Sequence, residues 1–85
     1  MNWDVVVDKQ IEKFLKKIGR RDKERLIGAM QEFSADPYAG DVEKMEGEEN
    51  VWRRRIGAFR IFYELYPSKK IVYVFSIKRR ASNTY

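Results

Sequence analysis

Arginines are concentrated in one short stretch of this 85-residue chain, on both sides of the pair Gly57-Ala58. Arg53 to Arg55 precede this pair, and Arg60 follows it. A guanidinium group binds phosphate or carboxylate through paired hydrogen bonds and stays charged at any physiological pH. The chemistry open to this cluster is therefore anion recognition and the stabilisation of developing negative charge, but not proton abstraction by arginine.

Neither cysteine nor histidine occurs in the sequence. A disulfide framework and a thiolate metal site are therefore excluded, as are the commonest zinc ligand and the usual general base near neutral pH. We expect no metal and no small-molecule cofactor. The chain also has no long apolar run, and its N-terminus lacks the basic flank and apolar core of a signal peptide, so we expect a cytoplasmic protein without a membrane partner.

Charge is distributed unevenly along the chain. Residues 1–50 hold 9 Lys and Arg against 12 Asp and Glu, a net charge of −3, whereas residues 51–85 hold 9 against 1, a net charge of +8. A basic half beside an acidic half favours a polyanionic partner, with nucleic acid preferred to membrane. The alternative is that the basic surface serves solubility alone.

The elements that position these arginines follow from hydrophobic periodicity. Ile11, Phe14, Leu15 and Ile18 form a helical stripe after Asp8, and Gly19 ends it. A second helix runs from Arg20 to about Ala35, before Pro37. A short strand, Asn2 to Val7, precedes the helices, and residues with period-two alternation follow them: Val51 to Ile56, Phe59 to Tyr66 and Ile71 to Ile77, with a few strand residues between Val42 and Met45.

This order predicts one α+β domain over residues 1–85: an N-terminal strand, a two-helix hairpin and an antiparallel β-meander, with the helices packed on one face. A chain of this length buries one modest core, so its function must lie on a surface or groove. The residues that we expect to be largely buried come from both helices and the first hairpin: Phe14, Leu15, Leu26, Met30, Trp52, Ile61 and Tyr63.

With Gly57-Ala58 as a two-residue loop, Arg55 pairs with Arg60 and Arg53 with Phe62. These four side chains then share the sheet face opposite the core. Because like charges opposed across strands are destabilising, this arrangement favours a negative ligand over a merely solvated basic face. A bulge at Gly57 would split the cluster.

Arg54 falls on the core face in this register, where we expect its stem to pack on apolar neighbours and its guanidinium to pair with an acid. The last strand is expected to be central, with Ile71, Tyr73, Phe75 and Ile77 on one side and Val72 and Val74 on the other. One or two of its aromatic side chains could line the arginine face, although such residues are more often core. A basic tail follows, from Lys78 through Arg79 and Arg80 to Tyr85.

The segment from Asn50 to Leu65 combines a basic strand, a glycine turn and an aromatic-Arg pair, and it resembles the most recognisable segment of the RelE/ParE superfamily of toxin–antitoxin toxins. The connector from Asp36 to Gly47 and the preceding helical hairpin are similar as well. The resemblance therefore covers nearly the whole chain.

The resemblance implies an endoribonuclease (an mRNA interferase) that cuts messenger RNA in the ribosomal decoding site and is silenced by a cognate antitoxin. It implies catalytic roles for Arg60 at the scissile phosphate, for Arg80 after the last strand and for the C-terminal Tyr85. RNA contacts are expected from Arg53, Arg55, Phe62, Lys78 and Arg79.

Three departures from the family pattern stand out. Arg54 replaces a usually apolar residue, the interval from Arg80 to Tyr85 differs in length, and Arg53 and Arg55 are arginines where some members have lysine. Proton transfer is left to Tyr85, Lys78, a carboxylate such as Glu64, or the substrate and ribosome. The open alternatives are a ParE-like toxin that acts on DNA gyrase and a non-catalytic RNA-binding module or degenerate toxin.

Overall fold

Seven regular elements follow one another along residues 2–80, the part of the chain that the computed structural model describes. They are β1 (Asp4–Val7), α1 (Lys9–Lys17), α2 (Arg20–Ala35), β2 (Val42–Lys44), β3 (Val51–Ile56), β4 (Phe59–Tyr66) and β5 (Ile71–Arg79). The predicted α+β order is confirmed. The strand β5 continues two residues beyond the predicted end, so Lys78 and Arg79 belong to the sheet rather than to a tail.

The strands form one sheet in the order β1-β5-β4-β3-β2. Strands β2 to β5 pair antiparallel, as the predicted meander requires, whereas β1 pairs parallel with β5. The sheet is therefore mixed. The strand β5 lies between β1 and β4, which confirms its predicted interior position.

Local chemistry accounts for the start of α1 and for the end of α2. The Asp8 carboxylate caps α1 by accepting a hydrogen bond from the Gln10 amide at 2.9 Å. The helix α2 ends at Ala35, just before Pro37. Within residues 2–80, no helix is long and apolar enough to cross a membrane.

The core lies between the helices and one face of the sheet. Four of the predicted core residues are buried: Leu26, Met30, Ile61 and Tyr63. The centres of the Phe33 and Tyr63 rings lie 4.3 Å apart. The other members of the predicted core, Phe14, Leu15 and Trp52, are only partly buried and pack against its margin. Trp52 lies on the core side of β3, so the predicted strand parity is correct.

Strand β4 alternates strictly between the two faces of the sheet. Its residues Phe59, Ile61, Tyr63 and Leu65 point to the helices and are buried, whereas the residues between them lie on the opposite face, hereafter the outer face. The Tyr63 hydroxyl donates a hydrogen bond to the Pro37 carbonyl at 2.7 Å, and burial raises the pKa of this tyrosine. The connector after α2 is thereby tied to the core.

Strand β5 contains a β-bulge that the sequence did not reveal. Tyr63 pairs with Val74 and Phe62 with Ser76, which leaves Phe75 as an extra residue. An extra residue reverses the alternation of the strand beyond it. The prediction that Ile77 shares a face with Tyr73 and Phe75 is therefore wrong: Ile77 pairs with Ile61 and is buried in the core.

Candidate nucleic-acid interface

The β3–β4 hairpin has the predicted register throughout. Arg55 pairs with Arg60, Arg53 pairs with Phe62, and Gly57 in the turn has a positive φ of 56°. Glycine adopts this left-handed conformation at little cost, which permits the tight loop. The four predicted side chains of the arginine face are therefore brought together on the outer face.

A row of three cations crosses the outer face. Arg60 on β4 lies opposite Arg55 on β3 and also opposite Lys78 on β5. We call Arg55, Arg60 and Lys78 the cationic row. The Lys78 ammonium lies 5.9 Å from the centre of the Phe62 ring, within the range of a cation–π contact. This geometry joins the predicted residue Lys78 to the arginine cluster.

Two acidic side chains, one in β2 and one just before it, pair with arginines of β3. Glu43 is the cross-strand partner of Arg53 and forms an ion pair with it, and the Asp41 carboxylate lies 4.0 Å from Arg55 Nε. Both carboxylates are more than 60% exposed, so these ion pairs are weak and can give way to a polyanion. These partners were not predicted, although two acidic residues, Asp41 and Glu43, flank Val42 at the start of a short predicted strand.

Arg60 differs from these arginines because no acidic side chain of residues 2–80 forms an ion pair with it. Within residues 2–80, neither Arg60 nor Lys78 forms an ion pair, and the Arg60 Nε is buried without a hydrogen-bond partner. A buried donor left without an acceptor raises the free energy of the folded state. An anion bound at Arg60 would supply the missing acceptor, with little reorganisation of a side chain already held on a strand.

Arg54 lies on the opposite side of the sheet, as predicted. Its side chain is 11% exposed, and its Nη1 lies 2.8 Å from a Glu32 carboxylate oxygen. Gly40, with a φ of +89°, leaves room for the guanidinium, since a Cβ there would lie 2.9 Å from Arg54 Cζ. Arg54 therefore anchors the connector between α2 and β2 and is separated from the cationic row.

The basic residues at the end of β5 do not share one location. Arg79 pairs with Phe59 on the helix side of the sheet, where its Cζ lies 4.7 Å from the Phe59 ring centre, so the structure does not bring it together with the cationic row. The Arg80 amide donates a hydrogen bond to the Ala58 carbonyl at 2.6 Å, which holds its backbone beside the hairpin turn. Tyr85 lies outside the described residues.

Residues 2–84 match the family described as the ParE toxin of type II toxin-antitoxin system, parDE. The chain belongs to this family. The toxin is 25% identical over 83 residues to a protein assigned as toxin RelE1 from Methanocaldococcus jannaschii, a match that covers 94% of this chain and 92% of the relative. Membership of the RelE/ParE superfamily, expected from the resemblance of the sequence, is thus confirmed.

Solved structures agree with this assignment at the level of the fold. A chain of the archaeal RelE–RelB complex from Pyrococcus horikoshii OT3 superposes with a TM-score of 0.86 at 24% identity, covering 98% of the toxin and 100% of that chain. The isolated RelE toxin of E. coli superposes with a TM-score of 0.80 at 19% identity, and the match covers 95% of this toxin and 87% of the E. coli chain.

Proposed function

We propose that this toxin is an endoribonuclease that cleaves messenger RNA on the ribosome. The observation that carries the proposal is the state of Arg60, a strand-borne guanidinium without an acidic partner within residues 2–80 and with a buried, unpaired Nε. Its neighbours across both adjoining strands are also cations. A site of this kind fits a phosphodiester whose negative charge increases in the transition state.

In the proposed reaction, the ribose 2′-hydroxyl attacks the adjacent phosphorus, so that a bond from O2′ to phosphorus forms and the bond from phosphorus to the 5′-oxygen breaks. The proton that the 2′-hydroxyl loses passes to the ribosome or to solvent, and the leaving 5′-oxygen gains a proton from a donor on the toxin. Arg60 stabilises the charge on the phosphoryl oxygens, while Arg53 and Arg55, both on β3, bind the neighbouring phosphates and position the RNA. Arginine is too basic to move these protons.

Lys78 is the group of the cationic row that can donate a proton to the leaving oxygen, since it lies directly opposite Arg60. Glu64 is less suited to this role for two reasons. Its carboxylate accepts a hydrogen bond from the Tyr66 hydroxyl at 2.5 Å, and it lies near the end of β4 that is remote from Arg60. We assign Arg80 and Tyr85 catalytic roles at the reacting phosphate, as the resemblance implies.

The test is a cleavage assay with purified ribosomes carrying a defined messenger in the decoding site. We expect new RNA 5′ ends within the codon in that site, and slower cleavage of the same messenger without ribosomes. A parallel DNA-gyrase supercoiling assay addresses the main alternative. Intact messenger together with inhibited supercoiling would overturn the proposal in favour of a gyrase toxin, and RNA binding without cleavage would favour a non-catalytic module.

We further propose that a cognate antitoxin silences the toxin by placing an acidic segment on the outer face. The relative from P. horikoshii was solved as a complex of RelE with RelB. In this toxin, Glu43 and Asp41 already pair with Arg53 and Arg55, which supports carboxylates as ligands for this surface.

Co-expression with the antitoxin from the native operon should give a complex that salt weakens. Hydrogen exchange in the complex should slow at β3 and β4. An antitoxin that binds with no salt dependence and leaves these strands unprotected would contradict this proposal.

A further inference from the structure

Three aromatic rings form a stripe on the outer face beside the cationic row. The Phe62 and Phe75 ring centres are 6.4 Å apart, and those of Phe75 and Tyr73 are also 6.4 Å apart, with interplanar angles of 39° and 31°. All three rings are partly exposed. None of them belongs to the core or to the hydrophobic residues packed against it.

The bulge in β5 contributes to this stripe. Because Phe75 is the extra residue, it stays beside Phe62 while the strand beyond it turns Ile77 into the core and Lys78 to the outer face. Phe62 follows Arg60 by two residues on β4 and therefore shares its face. The stripe thus begins at the cationic row and continues away from it across two strands.

The far end of the stripe is acidic. The Tyr73 hydroxyl donates a hydrogen bond to the Asp8 carboxylate at 2.7 Å, and Glu64 is the cross-strand partner of Tyr73. These carboxylates repel a phosphate backbone. A polyanion that binds the cationic row can therefore extend over Phe62 and Phe75, but meets unfavourable charge at Tyr73.

We propose that Phe62 and Phe75 form a base-stacking site for single-stranded RNA, one base on each ring, next to the phosphate held by Arg60. Tyr73 is its far boundary. This inference rests on the proposed function and deepens it by assigning the nucleotides that flank the reacting phosphate. Aromatic side chains on a sheet bind successive bases in this way with little sequence preference, because every base has a stacking face.

The test measures binding of a fluorescein-labelled oligouridylate and of an abasic ribose-phosphate strand of the same length to the purified toxin by anisotropy. Phe62→Leu and Phe75→Leu remove the flat ring but keep an apolar side chain of similar size. Each should weaken oligouridylate binding about 5- to 150-fold and leave abasic-strand binding unchanged. Phe75→Trp should retain or improve binding of the oligouridylate.

Tyr66→Leu is the matched control, since Tyr66 is an outer-face aromatic residue of β4 that is not part of the stripe. It should bind both strands like the wild type, and thermal melting should show that every variant is folded. Leucine variants that bind oligouridylate normally, or that lose affinity for both strands equally, would overturn the stacking site.

The two proposals can fail separately. Base-dependent binding through Phe62 and Phe75 in a toxin that cleaves no ribosome-bound messenger would overturn the proposed nuclease function and leave the stacking site standing. Cleavage that is unaffected in both leucine variants, with normal oligouridylate binding, would leave the nuclease standing and remove the stacking site.

Discussion

Lys78 lies directly opposite Arg60 on the outer face only because Phe75 is an extra residue in β5. Without the bulge, the alternation of β5 would turn Lys78 towards the helices. The bulge thus completes the cationic row and, at the same position, adds an aromatic ring beside it. Bulges are frequent next to functional sites for this reason, since they redirect a side chain without changing the fold.

Arg60→Ala should reduce cleavage of ribosome-bound messenger about 100- to 1,000-fold, because it removes a preorganised charged contact in the transition state. The fold should persist, since the side chain points away from the core, and growth arrest on expression should disappear. Mapping of RNA 5′ ends over time measures the rate, and circular dichroism checks the fold. A folded variant that cuts at nearly the wild-type rate would place the site elsewhere.

Lys78→Ala should weaken RNA binding and reduce its salt dependence. Removing one phosphate contact from a single strand lowers the slope of log K against log salt concentration by about 0.7. Anisotropy titrations at several salt concentrations measure this slope. Lys13→Ala on the exposed surface of α1 is the matched control and should leave the slope unchanged. If the slope of log K against log salt concentration is the same for Lys78→Ala as for Lys13→Ala and the wild type, Lys78 is excluded from the interface.

Arg54→Ala should lower the free energy of unfolding by about 1–3 kcal/mol, because it removes a nearly buried side chain and its ion pair with Glu32 of α2. Cleavage by the folded variant should be close to wild type. Urea unfolding measures the change. Arg20→Ala is the control: it removes an exposed ion pair with Glu24 and should alter stability by less than about 0.5 kcal/mol. Lost cleavage in a stable Arg54 variant would contradict this assignment.

The pair of Asp8 and Tyr73 should make stability depend on pH at both extremes. Hydrogen bonds from the Tyr73 hydroxyl and the Gln10 amide hold the pKa of Asp8 below its usual 3.8. This contribution to stability is present above 3.8 and is lost as the pH falls through the lowered pKa of the folded state. The hydrogen bond to Asp8 raises the pKa of Tyr73 above 10.0, so its contribution is present below 10.0 and lost as the pH rises through the raised value.

Tyr73→Phe should therefore flatten the dependence of the urea midpoint on pH at both ends of the range. The midpoint is measured at a series of pH values that spans the usual pKa values of both groups. Tyr66→Phe, which leaves the hydrogen bond between Tyr73 and Asp8 intact, should keep the acid dependence of the wild type. An unchanged acid limb in Tyr73→Phe would show that this hydrogen bond does not stabilise the ionised Asp8.

Features that depend on neighbours along the chain were predictable from the amino-acid sequence. A 3.6-residue period defined α1 and α2, and a period of two defined β3 and β4. The two-residue loop at Gly57-Ala58 then fixed the hairpin register, because loop length and strand parity leave one pairing. The grouping of Arg53, Arg55, Arg60 and Phe62 on the face opposite the core followed from that register, as did the isolation of Arg54.

Features that depend on contacts between distant segments became visible only in the folded chain. They include the parallel pairing of β1 with β5 and the ion pairs of Arg53 and Arg55 with Glu43 and Asp41. They also include the placement of Lys78, rather than Arg79, on the outer face. The bulge at Phe75 is the clearest case. The alternation of apolar and polar residues does not reveal by itself whether a strand contains an extra residue, or where the extra residue lies. With the extra residue at Phe75, Ile77 lies against Ile61 in the core and Lys78 remains exposed on the outer face. Without it, the alternation of β5 would turn the charged Lys78 towards the core and Ile77 away from it, which is less favourable.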